Sequence, residues 1–70
     1  MKSLTPSFYL EDGVQIMIMD DPSMDGREVY YRIPGYPFIF AYGLPNCYSL
    51  AQCVRIARYN ASTYAEDLFK

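Results

Sequence analysis

A chain of 70 residues is one domain near the lower size limit for independent folding, where a partner or a second copy often supplies the missing stability. Its 51% of hydrophobic residues excludes intrinsic disorder, and its net charge of −2 argues against nonspecific nucleic-acid binding, which rests on neutralising phosphates. The sequence has no histidine, which removes the commonest general base and the commonest zinc or copper ligand.

The longest apolar stretch near the N-terminus, Val14 to Met19, is far short of the roughly 20 residues that span a bilayer. Met1 to Leu10 lacks the apolar core and cleavage site of a secretory signal, so a soluble cytoplasmic protein is expected. After this short tail, Phe8–Glu11 and Val14–Met19 flank Asp12-Gly13, a pair suited to the positive φ angles of a hairpin turn. Val14, Ile16 and Ile18 alternate with Gln15, Met17 and Met19, which predicts a strand with one strongly apolar face and one softer face.

The segment Asp20-Asp21-Pro22-Ser23-Met24-Asp25-Gly26 reads as a solvated loop. Arg27–Ile33 follows as a strand with Val29, Tyr31 and Ile33 on one side and Glu28, Tyr30 and Arg32 on the other. Pro34-Gly35-Tyr36-Pro37 turns the chain, Phe38–Tyr42 makes an aromatic fourth strand, and Gly43-Leu44-Pro45-Asn46 breaks the sheet. Ser49 and Gln52 then match a capping box at a helix start.

From there the apolar residues Leu50, Cys53, Val54, Ala57, Ala61 and Tyr64, continued by Ala65 and Leu68, fall on one helical arc. Gln52, Arg55, Tyr59, Ser62 and Glu66 lie opposite. The arc keeps phase across Asn60, which favours one continuous or kinked helix, although its length exceeds the width of four strands and would allow a break there. The expected fold is α+β: an antiparallel β-meander of three to four strands packed against a C-terminal α-helix.

No catalytic, cofactor or metal site is expected. Cys53 reads as a buried apolar group, and Cys47 lacks a base to activate it. A calcium loop counted from Asp21 fits at Ser23, Asp25 and Gly26 but places Arg32 where a bidentate glutamate is needed. The four glycines, at 13, 26, 35 and 43, sit at strand boundaries and assemble no phosphate-binding loop.

What remains is surface. Glu11, Asp12, Asp20, Asp21, Asp25 and Glu28 lie in the first 28 residues against only Lys2 and Arg27, whereas Val29–Ala65 contains Arg32, Arg55 and Arg58 and no acid. Such a two-ended charge distribution suits docking on a partner of complementary potential. Eight tyrosines and four phenylalanines exceed what a small core buries, and strand phase, turn position or helical angle points Tyr30, Tyr36, Tyr42, Tyr48 and Tyr59 outward. Arg55, Arg58 and Tyr59 border one helical face.

The expected function is therefore a non-enzymatic protein-binding module, by analogy a phage-type inhibitor or modulator docking on a larger host assembly. An acidic hairpin suits a protein partner with a basic nucleic-acid-binding groove. One alternative is a single-strand nucleic-acid binder using exposed tyrosines and Arg32, Arg55 and Arg58, a direct contact that the acidity disfavours. Another is a structural homo-oligomer, in which a homodimer buries a second apolar sheet face.

Overall fold

A computed structural model describes residues 5–20 and 26–68. Four strands, β1 (Thr5–Glu11), β2 (Val14–Asp20), β3 (Arg27–Arg32) and β4 (Ile39–Leu44), form one antiparallel sheet in the order β1-β2-β3-β4. The helix α1 (Leu50–Leu68) packs on one face of this meander. The α+β architecture read from the sequence is the architecture observed.

The turns form for local reasons. Asp12 and Gly13 both take positive φ, 51° and 76°, as the tight β1–β2 hairpin requires. At the β3–β4 connection the Tyr36 amide donates to the Ile33 carbonyl across Pro34-Gly35, with Gly35 at φ 97°. The sheet ends two residues later than the sequence suggests: Gly43 and Leu44 still pair with Glu28 and Arg27, and the chain leaves the sheet at Pro45. Gly43 keeps an ordinary φ on this edge strand, so nothing forces an earlier break.

Alternation sets the two sheet faces. Val14, Ile16, Ile18, Val29 and Tyr31 point to the helix and are buried. From the helix Cys53, Ala57 and Ala61 meet them, each fully buried. This run of small side chains at four-residue spacing lets the helix approach the sheet closely. Cys47 and Cys53 are both free thiols, the first exposed and the second in the core.

The capping box forms as expected, with the Ser49 amide donating to Gln52 Oε1 at 2.8 Å and the Gln52 amide donating to Ser49 Oγ at 3.2 Å. The helix then runs without a break through Asn60. Its first turn lies by Arg27, which donates from Nη1 to the Tyr48 carbonyl, and Ser62 reaches Asp12 at the opposite end of the sheet. The helix thus lies along the strands instead of across them, and the width of the sheet places no limit on its length.

One irregularity changes which residues share a face. Val29 pairs with Tyr42 but Tyr30 pairs with Phe40, so Ala41 is an extra residue in β4 at a β-bulge. The inserted residue reverses the alternation along β4, turning Tyr42 toward the helix while Phe40 stays with Tyr30 on the other face.

Candidate functional site

The helix covers one face of the sheet, and among the described residues the opposite face is open. Cross-strand pairing lines up Phe8, Met17, Tyr30 and Phe40 in a row across all four strands on that face. Phe8 is 63% exposed, Leu10 61% and Phe40 51%. Beside this row stands Leu10, paired with Gln15, which is paired with Arg32; on its other side Pro6, Met19 and Glu28 follow the same pattern. An apolar band between an arginine end and a glutamate end is the dominant surface feature.

The face is internally ordered. The Tyr30 and Phe40 rings meet edge to face with centroids 5.5 Å apart, and Phe8 lies 6.2 Å from Phe38. The Arg32 guanidinium sits 4.5 Å from the Phe38 ring centroid and donates from Nε to Gln15 Oε1. Phe8, Leu10, Gln15, Arg32 and Phe38 thereby border an open groove of about 420 Å³. Tyr30 donates its hydroxyl to Glu28 at 3.3 Å, and partial desolvation, then the neighbouring carboxylate, raises its pKa.

Tyr42 is a correction to the expected exposed set. The bulge places it against the core, with its ring 5.0 Å from that of Tyr64 and 6.1 Å from that of Tyr31. The hydrogen bonds there have one consistent direction. Ala57 offers a carbonyl, so the Tyr31 hydroxyl donates to it at 2.7 Å; Tyr42 then donates to the Tyr31 oxygen at 2.7 Å, and Asn60 Nδ2 donates to Tyr42 at 3.3 Å. The cluster locks helix to sheet and is part of the core.

Burial first, and then the Tyr42 hydrogen bond, push the Tyr31 pKa far above the tyrosine range. A pKa raised in the folded state contributes stability that is complete below the unfolded value near 10 and lost as pH rises above it. Alkaline titration followed at 295 nm is therefore expected to leave one phenol un-ionised until the protein unfolds. In Tyr31→Phe that delayed phenol is absent, and its persistence would refute the assignment.

The remaining sequence-predicted site residues do not assemble into one surface. Tyr36 is 58% exposed in the β3–β4 turn, Tyr48 37% before the helix, and Tyr59 87% on the outer helical face beside exposed Arg55. Arg58 turns back toward the sheet, where it lies 5.8 Å from the Tyr9 ring centroid and 3.9 Å from Glu11. Asp12 accepts from Ser62 at 3.1 Å, and Asp20 pairs with Arg27 at 3.5 Å. Folding thus brings Arg58 against Glu11 although the two charges are segregated along the chain. Arg32 lies on the open sheet face while Arg55 and Arg58 belong to the helix layer, so the three arginines form no common track. Asp21 and Asp25 lie outside the described residues.

Family models, curated proteins and solved structures were compared with the chain, and none matches.

Among the described residues no group of three or more cysteine, aspartate or glutamate side chains comes together around a metal-sized space, and no helix is long and apolar enough to cross a membrane. The open-face residues Phe8, Leu10, Met17 and Phe40 are absent from the set picked out by sequence. The signal for them was the second apolar phase of β1 and β2 together with a single helix pattern in the sequence, since one helix covers one face of a sheet.

Proposed function

We propose that this protein is a non-enzymatic protein-binding module of the cytoplasm that docks through the open face of its sheet. The observation that carries the reading is the band of Phe8, Met17, Tyr30 and Phe40, which crosses four strands on the face away from the helix, with Phe8 and Phe40 more than half exposed. Small monomeric domains rarely expose contiguous apolar surface of this kind, and aromatic rings with an arginine are the composition of contact surfaces. Rigid rings supply contact area at low entropic cost, and those of Tyr30 and Phe40 are already held edge to face. Free thiols at Cys47 and Cys53 suit a reducing compartment.

The contact is assigned to the sheet and not to the acidic hairpin because the exposed aromatic surface lies there, with Phe8 and Phe40 more than half exposed. A photo-reactive phenylalanine analogue at position 40, introduced in the native host, is expected to cross-link to protein, whereas the same probe at position 55 on the outer helical face is not. Equal labelling at both positions, or no adduct at position 40, overturns the reading.

A further inference from the structure

We propose that the protein seated on the open sheet face is a second copy of this chain, related by a two-fold axis lying along the Phe8-Met17-Tyr30-Phe40 row. The inference rests on the open face being a protein-binding surface and names its occupant.

The open face is complementary to itself. A two-fold interface sets the same patch against itself, so each feature must find its complement at the symmetry-related position. With the axis along the central row, the apolar side chains of that row meet their own copies. The row of Leu10, Gln15 and Arg32 lies opposite the partner copy's row of Pro6, Met19 and Glu28, following the observed cross-strand pairing. Leucine meets proline, and the arginine meets the glutamate. An axis along the strands instead sets β2 over β3, which puts Arg32 over Gln15 and Glu28 over Met19 and leaves both charges without an opposite partner.

The area is compatible with such a pairing. Four strands at about 4.8 Å spacing and seven residues at about 3.3 Å give a face of roughly 19 by 23 Å, so two apposed faces cover about 900 Å² in projection, and the relief of the side chains brings the buried surface to about the 1,000 Å² of a small specific interface. The product is a four-layer sandwich with two sheets about 10 Å apart inside and the helices outside. Its outer helical surfaces, with Arg55 and Tyr59, remain open.

The decisive test uses the charge pair. Within one chain Glu28 and Arg32 are four residues apart on a strand, about 13 Å, too far for direct pairing, so any coupling between them is intermolecular. Sedimentation equilibrium at micromolar concentration is expected to show a dimer for the wild type and a monomer with unchanged circular dichroism for Phe8→Asp, a site already largely solvated. Arg32→Glu and Glu28→Arg are each expected to raise the dimer dissociation constant about tenfold or more, and the double variant to recover most of that loss. A monomeric wild type, a dimer indifferent to Phe8→Asp, or a double variant no better than the singles overturns the two-fold arrangement. If the wild type is monomeric while the probe at position 40 still cross-links to a different protein, the binding face stands and only its occupant is wrong.

Discussion

Replacing Tyr31 with alanine is expected to remove about 3–5 kcal/mol of stability, as measured for buried aromatic residues elsewhere. A domain of this length has only about 4–10 kcal/mol in total, so the substitution removes about a third of it or more. The size of the effect follows from position. Tyr31 is fully buried at the centre of the sheet, stacks on Tyr64 with centroids 5.4 Å apart, and carries the hydroxyl that reaches the Ala57 carbonyl. Tyr31→Phe keeps the ring and loses the hydroxyl, leaving the buried Ala57 carbonyl without its cross-layer donor and Tyr42 without its acceptor, at about 1–2 kcal/mol. Urea midpoints of the two variants separate ring packing from hydrogen bonding. Equal losses would show that the ring contributes little beyond its hydroxyl, contrary to the packing described above.

Gly26→Ala is expected to cost about 3 kcal/mol, because two effects coincide there. The residue has φ 132°, a conformation that side-chain-bearing residues rarely adopt, and a Cβ placed on it would lie 2.2 Å from the Leu44 carbonyl oxygen. Relief requires the start of β3 to move away from the end of β4, at the point where Arg27 also joins the Tyr48 carbonyl. Gly13→Ala provides the comparison, since Gly13 has positive φ but a Cβ there would meet no atom within 4 Å. It is expected to cost about 1 kcal/mol, the backbone effect alone. Similar thermal midpoints for the two variants would remove the steric part of the argument.

The parts of the fold that were legible in the sequence are those set by short-range chemistry. Asp12-Gly13 specifies a hairpin because both residues accept positive φ, and Ser49 with Gln52 specifies a helix start because each side chain satisfies the other's amide. The alternation of Val14, Ile16 and Ile18 identifies the buried face of β2, and the recurrence of Cys53, Ala57 and Ala61 identifies the buried stripe of α1. The candidate contact surface was legible only in part. Tyr30 was picked out by strand phase, but its neighbours Phe8 and Phe40 read as ordinary strand hydrophobics.

Tyr42 shows why phase counting fails across a bulge. The inserted Ala41 carries no chemical mark in the sequence, since it is selected by how β4 must follow β3, and yet it exchanges the faces of every residue beyond it. Charge has the same limitation. Acids gathered in the first 28 residues and arginines gathered after them suggest a two-ended molecule, but the helix returns along the strands and sets Arg58 beside Glu11.

The sequence by itself thus determined an α+β domain with a meander of three to four strands before a C-terminal helix, together with the hairpin turn and the helix cap, because each follows from interactions among residues a few positions apart. It also determined the supply of aromatic rings, in excess of what a core this small absorbs. Only the tertiary structure decided where that excess goes: Tyr31, Tyr42 and Tyr64 into the seam between helix and sheet, and Phe8, Tyr30 and Phe40 into one band on the open face. The reason is that strand register, the bulge and the path of the helix are settled by contacts between distant residues, and the face a side chain occupies depends on all three.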